Sequence, residues 1–291
     1  MEQQQPKELS PIQQLCLSTV RIVASNSQIQ SVGTGFIVNY LVHGAIHPFV
    51  VTNKHVVDKM DVGELVFCTK MPGGIPNYLE HITYTAKSFE SRWLKHPDTS
   101  VDLCVMPLEP FLKFSVSKSE PLPCYRAFNM SDIPDPQQFS SIGAGDKIMM
   151  IGYPNSIWDS VHNIPIVRQG ITATDVNLDY EGRKEFLIDA TVVPGSSGSP
   201  IFIYDRGGFS DTFGNVSLGT SRLMLLGVNY ASFYRSVDGS VELKQIPTNA
   251  KLIAHTSIPI NLGVVIKSSR LLEFIPLIDN IRNEYMLGNQ G

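Results

Sequence analysis

The sequence predicts an all-β protein in which two lobes of strands are followed by a C-terminal α-helix. Short apolar segments, divided by Gly, Pro, Asn and Asp, run along most of the chain and are typical of β-strands. A polar, proline-rich connector at residues 113–140 separates the segments of residues 14–112 from those of residues 141–266. Apolar residues at helical spacing extend over residues 267–286, and the polar residues 1–13 are expected to form a flexible tail.

The predicted strands are rich in β-branched and aromatic residues. In the first lobe they are LSTVRIVAS, GTGFIVNYLV, PFVVTNKHVV, ELVFCTK and DLCVMPL, and in the second KIMMIGYP, EFLIDATVV, SPIFIYD, LMLLGVNYA and NLGVVIK. The Gly- and Ser-rich stretch at residues 204–221 is expected to be a long loop. The C-terminal helix should start at a Ser268 or Ser269 cap and kink at Pro276. Its predicted apolar face consists of Leu271, Leu272, Ile275, Ile278 and Ile281.

Composition and charge exclude several classes of function. The 291 residues are 43 % hydrophobic and 17 % charged, which fits a folded protein with a sizeable core. The net charge of −4 gives no electrostatic reason to expect nucleic acid or an anionic membrane as a partner. The polar opening MEQQQPKELS does not resemble a secretory signal, and no apolar run reaches the roughly 20 residues that span a bilayer. We therefore expect a cytoplasmic protein.

The cysteines indicate neither a metal site nor a disulfide framework. Cys16, Cys68, Cys104 and Cys124 are scattered, with no spacing typical of zinc ligands. Cys104 lies in the apolar run DLCVMPL, where a buried free thiol is expected. We expect no metal and no other cofactor.

Three short strings contain the residue types of one kind of catalytic site, and they follow one another along the chain in the order His, Asp, Ser. VTNKHVVD puts His55 just after an apolar strand, and SVDLCVMPL puts Asp102 at the start of another. PGSSGSP puts Ser197 in the middle of a Gly/Ser turn. Each string alone is compatible with an ordinary strand end or turn, but the conjunction of the three indicates nucleophilic catalysis.

The chemistry requires each of these residue types. A serine hydroxyl is a poor nucleophile near neutral pH, so an adjacent imidazole must accept its proton as it attacks. The imidazole in turn needs a carboxylate on its other nitrogen, which selects the tautomer and stabilises the imidazolium. Glycines beside the serine let two main-chain N–H groups converge on the oxyanion of the tetrahedral intermediate.

These strings resemble the trypsin-like, chymotrypsin-fold serine proteases, most closely their HtrA-like bacterial branch. In that branch the histidine commonly lies in TNxHVV, the aspartate in DLAV and the serine in GNSGG or GNSGSP. Further similarity extends to GTGFIV, IGYP, LLGVNYAS and NLGVVIKSSRLLEFI in this chain, so that the resemblance covers about residues 17–285. HtrA enzymes usually add a PDZ domain after the protease, and the end of this sequence leads us to expect none here.

The resemblance implies two antiparallel six-stranded β-barrels with the active site in the cleft between them. His55 and Asp102 would come from the first barrel and Ser197, as the third residue of GxSGxP, from the second. The oxyanion hole would be formed by Gly195, Ser196 and Ser197, with the N–H groups of Gly195 and Ser197 as donors.

The resemblance also locates the pocket for the residue before the scissile bond, called P1. The floor position, six residues before Ser197, carries an acid in trypsin and Thr191 here. Glutamate-preferring relatives carry a histidine in the segment LLGVNYA, where this chain has Asn229. The expected substrate-binding residues are Thr191, Val192, Asn229, Tyr230 and Ala231, with the strand at residues 263–265 as a further wall. Such a pocket is uncharged, which favours small or medium apolar P1 residues.

The predicted function is therefore a serine endopeptidase that acts on protein or peptide substrates through an acyl-enzyme. A catalytically inactive binding module of the same fold and an esterase with the same triad are the alternatives.

Activation by cleavage after Arg21 is not expected, although RIVAS resembles the cleavage site of trypsin-type zymogens. A new Ile22 ammonium would need an acid directly before the nucleophile, and that residue is Ser196. We expect instead that substrate, an activating protein or a second copy of the chain orders the turn at Gly195–Ser197.

Overall fold

The computed structural model describes residues 8–241 and 252–288, and within them sixteen β-strands and six α-helices. The strands form two lobes and the C-terminal segment is helical, which confirms the predicted fold class. No helix in these two ranges is long and apolar enough to cross a membrane.

The first lobe is an eight-stranded sheet. Its strands are β1 (Thr19–Ser25), β2 (Gln30–Val42), β3 (Ala45–Thr52), β4 (Val62–Lys70), β5 (Pro76–Lys87), β6 (Leu94–Lys95), β7 (Cys104–Pro107) and β8 (Phe128–Asn129). They are hydrogen-bonded in the order β5-β4-β1-β2-β3-β7-β6, and β8 pairs with β2 in parallel.

This arrangement differs from the six-stranded barrel that the resemblance implies for the first lobe. Because β6 has two residues, it offers β5 almost no length for a ladder, and the hydrogen-bonded path through the described strands ends at these two edges. Side-chain packing joins the two ends of the sheet instead, because Tyr84 of β5 and Met106 of β7, the neighbour of β6, are buried in one apolar cluster. That cluster also holds Cys104, which is buried with a free thiol as predicted.

The second lobe is the predicted closed six-stranded barrel. It consists of β9 (Lys147–Gly152), β10 (Ile166–Thr172), β11 (Glu185–Asp189), β12 (Pro200–Asp205), β15 (Arg222–Val241) and β16 (Leu252–Lys267). The stretch at residues 204–221 is not simply a loop, because it contains two short paired strands, β13 (Gly208–Ser210) and β14 (Val216–Leu218).

The helices correct the sequence prediction at the N-terminal tail and at the connector. They are α1 (Pro11–Cys16), α2 (Lys54–Val57), α3 (Glu109–Lys118), α4 (Pro136–Ser140), α5 (Ser269–Leu272) and α6 (Ile275–Gly288). The predicted tail, residues 1–13, overlaps α1, whose start is capped by the Ser10 side chain, while residues 1–7 lie outside the described residues. The connector at 113–140 contains part of α3 and all of α4.

The predicted C-terminal helix is divided into α5 and α6 at residues 273 and 274, and Pro276 is the second residue of α6. Proline cannot donate a main-chain hydrogen bond, and the first turn of a helix requires none, so Pro276 is accommodated at the start of the new helix. Ser268 occupies the cap position of α5 without a side-chain hydrogen bond. Leu271 and Ile278 are buried, whereas Leu272 and Ile281 of the predicted apolar face are exposed.

One apolar cluster spans both lobes and the C-terminal helices. Phe36 and Phe128 of the first lobe pack edge to face, and Phe128 lies 5.8 Å from the ring of Phe202 in the second lobe. Phe274 and Ile278 complete the cluster from the C-terminal segment. Burial of these rings holds the two lobes together on either side of the site described next.

Candidate active site

His55 follows β3 directly, in the short helix α2. Its main-chain N–H donates to Asp102 Oδ1 at 3.1 Å, and its Nδ1 lies 2.5 Å from Asp102 Oδ2. Asn53 Nδ2 donates to the Asp102 carbonyl at 2.8 Å, which ties the segment before β7 to the end of β3. The structure thus brings His55 and Asp102 into direct contact.

This contact defines what the imidazole can do. An ionised carboxylate can accept but not donate, so the His55 nitrogen that faces Asp102 carries the ring proton. Nε2 then presents its lone pair away from the carboxylate. The His55 side chain is 48 % exposed and that of Asp102 is 23 % exposed, so the basic nitrogen is accessible while the carboxylate is largely covered. Such a pair can accept a proton from a hydroxyl in the cleft.

The turn that carries Ser197 requires glycine on both sides. Gly195 and Gly198 have φ values of +86° and +84°, in the region that L side chains rarely adopt. A Cβ on Gly198 would overlap the carbonyl oxygen of Thr34, and one on Gly195 would overlap the carbonyl oxygen of Tyr153. The two glycines therefore let the turn approach neighbouring main chain more closely than any other residue could.

Thr34 of β2 binds this turn to the first lobe. Its N–H donates to Ser197 O at 2.8 Å, and its hydroxyl donates to Gly195 O at 2.9 Å. Thr52 Oγ1, at the end of β3, donates to Thr34 O at 2.8 Å. Sequence analysis gave Thr34 no role, although it lies in GTGFIV, one of the strings that carry the resemblance.

The N–H groups of Gly195 and Ser197 are left available by the way the turn is held. Asn155 N donates to Pro194 O at 2.6 Å. Because the peptide is trans, the N–H of Gly195 points away from that bond. Ser196 N donates to Val193 O at 3.0 Å, whereas the N–H groups of Gly195 and Ser197 have no acceptor among the described residues. This geometry suits the binding of an oxyanion.

Ser197 and His55 lie on neighbouring segments without a hydrogen bond between the hydroxyl and the imidazole. The turn rests against Thr52, three residues before His55, since a Cβ on Gly198 would also come within 2.5 Å of Thr52 Oγ1. Ser197 is half-buried. Contacts between a nucleophile and its base are often loose without substrate and tighten when one binds.

The residues predicted to line the P1 pocket fall into two groups. Val192 and Asn229 are buried and meet at Gly263 of β16, where a Cβ would lie 2.7 Å from Val192 Cγ2 and 3.0 Å from Asn229 Oδ1. Thr191 is exposed, and Ala231 is half-buried. The buried part of this wall carries no charge.

Asn229 and Tyr230 connect the wall to the rest of the site. Asn229 Nδ2 donates to Ser196 O at 3.2 Å, and Asn229 N donates to Ser199 O at 3.0 Å, so β15 supports the turn from behind. Burial raises the pKa of Tyr230 to about 12, and the carboxylates of Glu185 and Asp102 add to this rise. Tyr230 is therefore neutral at physiological pH.

Arg168 of β10 is a residue of this region that sequence analysis missed. Its Nη2 donates to Ser196 Oγ at 2.8 Å, and its Nη1 donates to the carbonyl of Thr191. Along β10, residues 166, 168, 170 and 172 are the less exposed positions, so a charged residue stands on the inward face. This alternation identifies Arg168 as an inward-facing residue only when the register of β10 in the barrel is known.

The segment that resembles a zymogen cleavage site lies within regular structure. Arg21 and Ile22 belong to β1, which is hydrogen-bonded to β2 on one side and β4 on the other. Ile22 is completely buried, and Arg21 stacks over the ring of Trp158 at 4.0 Å.

No group of three or more His, Cys, Asp or Glu side chains in the described ranges is arranged to hold a metal ion.

One family model matches more than half of the chain. The profile described as "Trypsin-like peptidase domain" matches residues 33–208, a range that includes His55, Asp102 and Ser197. No curated protein sequence matches the chain.

Similar solved structures are distant in sequence. A serine endoprotease from Yersinia pestis is 16 % identical, with 92 % of this chain and 65 % of that chain covered and a TM-score of 0.46. The thermostable serine protease AL20 from an extremophilic microorganism is 12 % identical, with 91 % and 98 % covered and a TM-score of 0.46. A serine protease of a human pathogenic astrovirus is 14 % identical, with 86 % and 88 % covered and a TM-score of 0.39. This chain thus spans just under two thirds of the length of the Yersinia protein.

The docking of the turn predicts a large effect of Gly198→Ala on stability. Gly44, in the β2–β3 turn, also has a positive φ of +72° but has no atom within 4 Å of a Cβ position, so Gly44→Ala is a matched control. The control should lose about 1 kcal/mol of unfolding free energy through backbone strain. Gly198→Ala should lose a further 1–3 kcal/mol, roughly, through overlap with Thr34. Urea unfolding of both variants measures this, and equal losses would contradict the docking.

Proposed function

We propose that this chain, which belongs to the family of trypsin-like peptidase domains, is a serine endopeptidase that cleaves protein or peptide substrates through an acyl-enzyme. The observation that carries the proposal is the His55–Asp102 pair beside a glycine-bounded turn with two available N–H groups. Each part supplies what acyl transfer to a serine needs, which is a base, a nucleophile and an oxyanion site.

In the proposed reaction, Ser197 Oγ attacks the scissile carbonyl while His55 Nε2 accepts its proton. Asp102 stabilises the imidazolium that forms. The N–H groups of Gly195 and Ser197 bind the oxyanion of the tetrahedral intermediate. His55 then gives its proton to the leaving amine, and a water molecule activated by the same imidazole hydrolyses the ester bond to Ser197.

The P1 residue is proposed to be small or medium in size, apolar and uncharged. Val192, Asn229 and Gly263 present uncharged atoms, and a charged side chain buried against them would lack a counter-charge. The Arg168 guanidinium lies nearby, but both of its terminal nitrogens donate to Thr191 and Ser196. It is therefore not assigned to the substrate.

Activity is further proposed to depend on the order of the turn at Gly195–Ser197, which substrate, an activating protein or a second copy of the chain would favour. The conformation described above is the ordered one, held by Thr34, Asn155 and Asn229. Release of the turn would break these hydrogen bonds, so the two states differ by contacts that a bound peptide can restore.

Ser197→Ala should abolish turnover while leaving the fold intact, because the hydroxyl is small and half-buried in the cleft. Loss of the nucleophile or of the His55 base should cost about 10⁴-fold or more in kcat, and Asp102→Asn a similar factor through the wrong tautomer. Ser199→Ala is the matched control, since Ser199 Oγ has no hydrogen-bond partner among the described residues.

Labelling by a fluorophosphonate probe and hydrolysis of a denatured protein measure these effects. Labelling that survives Ser197→Ala but not Ser196→Ala would show that the nucleophile is misassigned. A wild-type chain that is not labelled would favour the binding module. Labelling with ester hydrolysis but no cleavage of denatured protein would favour the esterase.

The uncharged pocket predicts the pattern of cleavage across a proteome. Terminal-peptide mass spectrometry of a cell lysate treated with the wild-type chain, with Ser197→Ala as the control, should show a majority of cuts after uncharged residues. A majority after Lys and Arg, or after Asp and Glu, would refute this assignment of the pocket.

The proposed gate predicts that a substrate peptide orders the turn. In Ser197→Ala, which cannot turn the peptide over, hydrogen exchange of residues 191–199 should slow when peptide is added. A chain that begins at Ile22 should gain no activity over the intact chain, because Ile22 is buried in β1. Unchanged exchange would refute the gate, and a large gain that requires a free Ile22 amine would restore the zymogen mechanism.

A further inference from the structure

Arg168 contacts the nucleophile turn from inside the second barrel. From β10 its guanidinium reaches two points of the segment that leads to Ser197. One is the carbonyl of Thr191, and the other is Ser196 Oγ at 2.8 Å. The same nitrogen that binds Ser196 also lies 3.8 Å from Met150 Sδ on β9. One planar cation therefore spans the two ends of residues 191–196.

Ser196 transmits this contact into the turn. Its side chain is fully buried, and its Oγ also accepts a hydrogen bond from Val193 N at 3.3 Å. In return Ser196 N donates to Val193 O at 3.0 Å. The hydroxyl that Arg168 holds is thus part of the closed ring of bonds that gives the turn its shape, one residue before Ser197 and one after Gly195.

The surroundings of Arg168 are unusual for a cation. It is half-buried, burial lowers the pKa of its guanidinium, and its Nε is buried without a hydrogen-bond partner. No carboxylate among the described residues lies within ion-pair distance of it, and its partners are all neutral. Desolvation of an unpaired cation is unfavourable, and the hydrogen bonds to Thr191 and Ser196 offset part of this cost.

We propose that Arg168 is the positioning residue of the oxyanion turn. Its two donors hold Thr191 and Ser196 at a set separation, and this keeps the N–H groups of Gly195 and Ser197 directed at one point. The inference rests on the proposed function, because the value of that geometry is the stabilisation of an oxyanion. Arg168 acts through Ser196 and does not touch the substrate.

This assignment gives a physical reason why the turn would not need the new N-terminal ammonium that cleavage creates in trypsin-type zymogens. In a trypsin-type zymogen, a buried ammonium pairs with an aspartate directly before the nucleophile. Here the residue at that place is Ser196, and the cation that meets it belongs to β10 of the same uncut chain. A neutral hydroxyl suffices as partner because charge-assisted hydrogen bonds are stronger than neutral ones.

The test compares Arg168→Met, Arg168→Lys and Arg222→Met. Methionine keeps the length of the stem and fills space without a donor, and lysine keeps the charge but cannot reach two acceptors in one plane. Arg222 is the matched control. It is also a half-buried arginine of the second barrel, but it pairs with Asp205 and stacks on Phe209. If Arg168→Met does not fold, Arg168→Lys carries the test.

Two readouts are measured on each variant. Hydrogen exchange of residues 191–199 reports the order of the turn whether or not the chain is active, and steady-state kinetics on a peptide substrate give kcat and KM. For Arg168→Met we expect exchange at Val193 and Ser196 to be about tenfold to a hundredfold faster. We expect kcat to fall about tenfold to a hundredfold with little change in KM, and a smaller fall for lysine. Arg222→Met should change neither exchange in this segment nor kcat.

Each outcome either supports or overturns the assignment of Arg168. Faster exchange with a lower kcat, combined with a non-additive effect of Ser196→Ala in the Arg168→Met background, supports the proposal. Unchanged exchange overturns it, as does faster exchange with an unchanged kcat. A change in KM or in preference for acidic P1 residues at constant kcat also overturns it and assigns Arg168 to the pocket. If the wild-type chain is inactive, the proposed function fails, and exchange alone still shows whether Arg168 orders the turn.

Discussion

The hydrogen bonds of Thr34 join β2 of the first lobe to the turn of Ser197 in the second lobe. Its N–H and hydroxyl hold the turn of Ser197, its carbonyl accepts from Thr52, and its Oγ1 accepts from Tyr153 N at 3.1 Å. Thr34 is completely buried, so each of these groups would be costly to leave unpaired. A small shift of the second lobe against the first would break several of these bonds together, which makes the relative position of the lobes well defined at this point.

The end of β3 extends the same connection to the base. Thr52 contacts Thr34, the next residue Asn53 binds the carbonyl of Asp102, and His55 follows two residues later against the Asp102 carboxylate. Three residues within four positions, from the end of β3 into α2, therefore hold both the turn and the histidine–aspartate pair. The glycines at 195 and 198 are the counterpart in the second lobe, because only they allow the turn to come close enough for these bonds. The cluster of phenylalanines below the cleft supplies the nonpolar burial that keeps the two halves together.

Charge is distributed in the site according to burial. The Asp102 carboxylate is largely covered and lies against His55, while the buried part of the predicted pocket wall carries no charge. Arg168 is the exception, a half-buried cation among neutral acceptors. In our proposal, its hydrogen bonds to Thr191 and Ser196 fix the geometry of the turn beside Ser197.

The sequence by itself determined the fold class, the two lobes and the residue types of the candidate site. These are local properties, since strand periodicity and the His, Asp and Ser strings are each written within a few neighbouring residues. It did not determine that the first lobe is an eight-stranded sheet, because pairing at the edges depends on the two-residue length of β6 and on packing between β5 and β7. The roles of Thr34 and Arg168 were likewise decided by the tertiary structure. Thr34 meets Gly195 across 161 positions of the chain and Arg168 meets Ser196 across 28, and contacts between residues so far apart leave no pattern that a single sequence can show.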